Sequence, residues 1–169
     1  MRTTSFEQIR DTFITRVHAA VWCNFITIDE RGHPRSRLLH SIWDGQTGYV
    51  ATRRHSPKSR DIAHSPHVSV AYVSDAVHPV YVDCKAEWAD DLETKLHLWN
   101  LFLEAPPPVG YDPASIFGSV DDPDFGVLRL IPQRIELGDV SGHGERRIVW
   151  RPADTQAALS STPVAVVAS

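Results

Sequence analysis

Ser56, Pro57 and Lys58 follow a strand-like run ending in Ala51-Thr52, and they are the residues of this chain best suited to do chemistry. Ser is a preferred helix N-cap and Pro a preferred first helical residue, so the segment predicts a short helix from about Ser56 to Ala63. The free N–H groups of its first turn and the positive end of its dipole would then lie beside the Lys58 ammonium. A solvated surface position is the usual fate of a lysine. Here, however, the cation opposes the dipole unless an anion sits between them, and phosphate is the usual anion at a helix start.

The second constellation is Pro34-Arg35-Ser36-Arg37-Leu38-Leu39-His40. On a strand, Arg35 and Arg37 share one face while Ser36 and Leu38 share the other. Two arginines on one face are most often solvated, but beside a phosphate site their planar forks suit an oxyanion. Thr52, at the end of its strand, has a hydroxyl within reach of the same region, although strand-end preference alone accounts for it. The nine histidines give no metal-site spacing: His64 and His67 flank Pro66 with no Cys or carboxylate at zinc spacing beside them. The sequence has no nucleophile elbow and no phosphate loop of the Walker type. A nucleophilic or metal-dependent hydrolase therefore has no support.

The elements that must position these residues are read from pattern and punctuation. At 169 residues and 42% hydrophobic content the chain suits one domain with a substantial core. A formal charge of -4 argues against an extended nucleic-acid surface, and four of the 17 basic residues cluster between Arg53 and Arg60, so anion binding is local. Cys23 and Cys84 lie in strand-like runs as small buried hydrophobes, in keeping with a reducing cytoplasm. No secretory leader and no membrane-spanning run is legible, so a soluble cytoplasmic protein is expected.

Thr4 and Ser5 head capping-box patterns before Phe6, Ile9, Phe13 and Val17 at helical spacing, which predicts an opening amphipathic helix. Strands are expected over 20–29, 34–43 and 47–53, with Asp44-Gly45-Gln46 as a hairpin turn, then over 67–74 and 77–89. Asp90-Asp91 caps a helix with Leu92, Leu96, Trp99 and Leu103 as its apolar stripe, and Pro106-Pro107-Pro108 ends it. Two closing strands, 125–131 and 133–140, meet at Pro132, and Gly142-His143-Gly144 is a loop before a last strand over 147–150. The reading is mainly β with flanking helices: a small antiparallel barrel over residues 1–151, followed by a mobile tail over 152–169 that is poor in aromatic and charged residues.

Strand, Thr52, Ser56-Pro57-Lys58, short helix, then Pro66 leading into Val68-Ser69-Val70, together with the Arg-rich strand and Val80 to Glu87, resembles the pyridoxamine-phosphate-oxidase-like flavin-binding split β-barrels. Their small actinobacterial and general-stress-protein-like members are the nearer match, and the resemblance runs to Trp150-Arg151. It implies a homodimer binding FMN at the subunit interface, with coenzyme F-420 as the alternative, and an oxidoreductase acting on a small molecule. A non-catalytic flavin- or haem-binding protein and a structural dimer with a decayed site are the rivals. It implies phosphate contacts from Ser56, Lys58 and an Arg of the Arg-rich strand, ring contacts from the backbone of that strand at Arg35, Arg37, Leu38 and Leu39, and cofactor-binding positions at Ala51, Pro57 and Thr52, the Thr52 hydroxyl reaching the phosphate or the ring edge. It also implies a pocket-closing role for Trp150. Ungapped alignment through Asp44 puts the family's Arg at Ser36, so Arg37 carries that role only if the register moves by one. Two departures stand out: Pro57 replaces an Arg of the phosphate clamp and Pro79 a Gln. The elements that grip the oxidase's substrate phosphate are also missing, which makes pyridoxamine phosphate an unexpected substrate. No catalytic side chain is expected, because the cofactor would carry the redox chemistry.

Overall fold

Alternating apolar residues and short turns fold this chain into β-strands that close on themselves. The computed structural model describes residues 1–141, 144 and 146–153. Its strands are β1 (Arg2–Thr3), β2 (Trp22–Ile28), β3 (Pro34–Asp44), β4 (Thr47–Arg53), β5 (His67–Tyr72), β6 (Val80–Trp88), β7 (Phe125–Asp139) and β8 (Arg146–Trp150). The helices are α1 (Arg10–Ala20), α2 (Pro57–His64), α3 (Leu92–Glu104) and α4 (Ala114–Phe117). The sheet order is β1-β8-β7-β4-β3-β2-β5-β6, and β6 pairs back onto β7, so six antiparallel strands form a closed barrel with β8 and β1 continuing from β7. The tail expected over 152–169 lies, from residue 154 onward, outside the described residues, as do Gly142 and His143 of the expected loop.

The barrel interior is filled by Phe25, Val50, Val70, Val82, Leu128 and Ile135, with α1 packing Phe13 and Val17 against Trp43 and its neighbours. One polar cluster is buried among them, where the Tyr72 hydroxyl meets Ser41 Oγ at 2.6 Å and accepts from Trp43 Nε1 at 2.7 Å. Each polar atom is matched, as burial demands. Cys23 and Cys84 are both buried and free. A second core lies outside the barrel, where Leu98 and Phe102 of α3 meet Phe117, Phe125 and Val127.

The structure corrects several expectations. The opening helix begins as a 3₁₀ turn over Phe6–Gln8, and Ser5 makes no side-chain cap; Thr3 Oγ1 accepts from Ser5 N and donates to Gln8 instead. Pro132 does not divide two strands. Cys84 pairs with Pro132 and Asp83 with Arg134, leaving Gln133 as the extra residue of a bulge within one 15-residue strand, a position that tolerates a missing N–H. The buried face of α3 is set by Leu98 and Phe102, whereas Leu92, Leu96 and Leu103 remain exposed. This helix is apolar on more than one side, so period alone could not choose its face.

Candidate functional site in the strand split

The β3–β4 hairpin determines where the barrel opens. Its turn is Gly45-Gln46, with Gly45 at φ 56°, and its ladder runs from Asp44↔Thr47 to Ser41↔Val50 and stops. Beyond that point β3 stays paired with β2 from His40 to Pro34, and β4 pairs with β7 through Arg53↔Phe125. The two strands therefore part, and a cavity of about 430 Å³ occupies the split. Leu38, Leu39 and His40 line one side and Ala51, Thr52 and Arg53 the other. Backbone groups on these facing edges have no partner strand across the gap, which suits hydrogen bonding to a planar heteroaromatic ring.

Four residues singled out in the sequence, Leu38, Leu39, Ala51 and Thr52, are brought together here. The remaining wall was not legible from the sequence. Trp22, Pro108, Tyr111, Ile116 and Phe117 complete it, several of them from the excursion between β6 and β7. His40 is boxed by rings, at 5.4 Å from Trp22, 5.2 Å from Phe102 and 5.0 Å from Tyr111, and its buried Nε2 has no hydrogen-bond partner. Val21 joins α1 to β2 at φ 60°, ψ -61°, an outlier for a β-branched residue that stores about 1–3 kcal/mol of strain. That joint places Trp22 at the cavity lip, 57% exposed. No sequence signal marks it, because Val is among the residues least expected at positive φ.

The residues expected to hold an anion follow β4 and open α2. Ser56 occupies the N-cap position of α2 with extended backbone, but its hydroxyl does not cap the helix; it accepts from Lys58 Nζ at 2.8 Å. Lys58 is only 8% exposed. Its pKa is lowered from the ordinary lysine value, first by burial and then by the charge of Arg37, with Asp124 acting the other way. Arg37 Nη2 reaches Asp61 Oδ2 at 3.2 Å, and that same oxygen accepts from Thr27 Oγ1 at 2.7 Å. Arg37 Nη1 is buried without a partner. Two cations held near each other, one with an orphaned donor, at the start of a helix with Pro57 as its first residue, fit a phosphate. The residues present therefore fit a phosphate-bearing ring cofactor.

Ser36 and Arg37, the two positions open to the family's Arg, have different surroundings. Ser36 opposes Ile26 in the ladder and its hydroxyl bonds Asn24, whereas Arg37 faces α2. Arg35 shares that face, as strand alternation predicts, and lines a depression with Arg37, Pro57 and Arg60. Its charge is already matched, since Asp29 accepts from Arg35 Nε at 3.0 Å, with Nη2 at 2.8 Å. The His33 backbone N–H, helped by Arg35, brings the Asp29 carboxyl down to about 2. Trp150 is a correction: the structure does not bring it to the cleft of its own subunit. Opposite Ile135 and Thr3 it is 2% exposed, its indole N–H donates to Thr4 O at 3.0 Å, and its ring meets Phe6 edge-on.

A pH effect follows from two partly buried histidines, His40 of this cavity and His18, whose Nε2 accepts from Trp43 N. His18 and His40 both have their pKa lowered from 6.5, chiefly by burial. The unfolded chain takes up these protons more readily than the folded one, so the stabilisation is full above 6.5 and is lost as pH falls below it. Tm should decline from about pH 7 to about pH 5, and His40→Phe should reduce that slope. A Tm that stays level over that range in the native chain would contradict the assignment.

The sequence comparisons agree with the barrel fold. The pyridoxamine 5'-phosphate oxidase family model matches residues 10–138. The chain belongs to the pyridoxamine 5'-phosphate oxidase family. General stress protein 26 of Bacillus subtilis is 28% identical over 112 residues, covering 64% of this chain and 73% of that protein. Among solved structures, a pyridoxamine 5'-phosphate oxidase-related, FMN binding protein from Nostoc punctiforme superposes with a TM-score of 0.64 at 16% identity, over 88% of this chain and 93% of that one. An F-420 reductase gives 0.55 at 16% identity, over 72% and 93%. A heme binding protein from Mycobacterium smegmatis gives 0.63 at 22% identity, over 94% and 62%. At these identities the structural likenesses establish the shared split-barrel fold. Among the described residues no helix is long and apolar enough to cross a membrane.

Proposed function

We propose that this chain is a flavin- or deazaflavin-dependent oxidoreductase that binds FMN in the split between β3 and β4. The observation that carries the reading is the pairing of the ring-sized cavity with the buried Lys58 and the orphaned Arg37 Nη1 beside it. Lys58, Ser56 and Arg37 would hold the phosphate, while the backbone of Leu38, Leu39, Ala51 and Thr52 would hold the ring. When bound, the cofactor supplies two-electron redox chemistry; the protein supplies anchoring, orientation and exclusion of water. The structural neighbour described as FMN binding supports FMN as first choice, and the F-420 reductase supports the deazaflavin alternative. The substrate is a small molecule other than pyridoxamine phosphate.

The same reading includes a cytoplasmic homodimer with the cofactor at its interface. Trp22 and Leu38 are 57% and 70% exposed at the cavity lip, an apolar rim that a second subunit would cover. The test is a titration of the purified protein with FMN, FAD and F-420, with light scattering on the same sample. Saturable FMN binding by a particle of about twice 18.9 kDa is expected. Selective binding of F-420 would select the alternative, and a haem Soret band with no flavin binding would select the haem-binding rival. A protein that binds none of these ligands would sink the proposal.

A further inference from the structure

Asp124 stands in the turn before β7, far along the chain from the anion loop, yet it ties down every residue between β4 and Ser56. Its Oδ2 accepts from Arg53 Nη1 at 3.1 Å, and its backbone carbonyl accepts from Arg54 N at 2.8 Å. Its Oδ1 accepts from His55 N at 2.8 Å and meets His55 Nδ1 at 3.1 Å. The turn is itself braced, because Asp124 N donates to Asp122 Oδ1 at 2.7 Å. Arg54 O in turn accepts from the Ser59 hydroxyl, and Ser59 N donates to Ser56 O at 2.9 Å, which carries the constraint into the first turn of α2. Arg53 also lines the ring cavity. One residue thus connects the wall of the ring cavity to the loop that presents Ser56 and Lys58.

A carboxylate beside an anion site is electrostatically unfavourable for the anion, so attraction to the ligand does not explain it. Three consecutive residues fixed to one side chain and its carbonyl describe a loop set before the ligand arrives, which lowers the ordering cost of binding. We infer that Asp124 is a positioning residue that holds the Arg53–Ser56 loop in its anion-binding form and sets the spacing between the phosphate site and the ring cavity. The inference rests on the flavin reading for the identity of the ligand, but not for the role of the loop.

The experiment compares native protein, Asp124→Ala and Asp124→Asn for binding of FMN, riboflavin and inorganic phosphate. Asp124→Ala removes the side-chain acceptors and should weaken FMN at least about tenfold, the scale of one charge-assisted hydrogen bond, while changing riboflavin by less than about threefold. Asp124→Asn keeps an acceptor for His55 N and should restore most of the FMN affinity. FMN binding by Asp124→Ala as tight as native, or equal loss of FMN and riboflavin, would overturn the assignment. If no flavin binds the native chain, the flavin reading fails on its own and inorganic phosphate decides the loop. Broadening of its phosphorus NMR line by native protein but not by Asp124→Ala supports the role, and equal broadening or none overturns it.

Discussion

Lys58→Ala should weaken FMN binding by about 1.5–3 kcal/mol, the range for a hydrogen bond to a charged group, and should leave riboflavin nearly unaffected. The ammonium is buried at the start of α2, with its pKa lowered by desolvation and by Arg37. In the ligand-free protein that burial is a cost, because the folded state holds the proton less favourably than the unfolded chain. Removing the cation should therefore leave the apo protein as stable or slightly more stable, and its Tm should not fall. Calorimetric titration with FMN and with riboflavin checks the binding contrast, and a melting curve checks the sign on stability. Parallel loss of both ligands, or no loss of FMN, would return Lys58 to an ordinary buried side chain with no anchoring role.

Phe102→Ala should have the largest effect on the fold, destabilising it by about 3–5 kcal/mol, as for a fully buried aromatic ring. Phe102 is fully buried in the second core, 4.6 Å from the Tyr111 ring and 5.2 Å from His40. Its loss removes the support for one wall of the ring cavity, so riboflavin and FMN should weaken together, unlike at Lys58. Chemical denaturation gives the stability change, and the paired titration gives the binding pattern. A variant as stable as the native chain would mean that α3 is only loosely joined to the barrel.

The parts of this molecule governed by local chemistry were legible in the sequence. The Asp-Gly hairpin, the helix start at Pro57 and the shared face of Arg35 and Arg37 all depend on a few adjacent residues and are found as expected, although the Ser56 hydroxyl turns to Lys58 and does not cap the helix. What was not legible depends on long-range pairing. Pro132 reads as a break until the bulge opposite Asp83 and Cys84 gives it a tolerated place. The exposed Leu92, Leu96 and Leu103 read as a core stripe because α3 offers more than one apolar side, and only the position of the second core decides which is buried.

The site divides along the same line. Lys58 was singled out from a helix start, whereas Leu38, Leu39, Ala51 and Thr52 were singled out through the resemblance to the family. Asp61, which holds Arg37, and Asp124, which holds the preceding loop, read as ordinary helix and turn residues; their roles arise from contacts made far from them in sequence. Trp150 was singled out through its resemblance to a late pocket residue, but its strand pairs with β1 and β7 and carries the ring into the core. His40, Tyr111 and Phe117 had no signal, since an aromatic residue in a loop or on a strand carries no mark of the cavity that it will line.

The most direct measurement is a crystal structure of the protein grown with FMN. The account predicts the isoalloxazine ring in the split, against Leu38–Leu39 and Ala51–Thr52, with the phosphate within hydrogen-bond distance of Lys58 Nζ and Arg37 Nη1. A ring bound elsewhere, or a phosphate directed to solvent while Lys58 keeps its contact with Ser56, would contradict it.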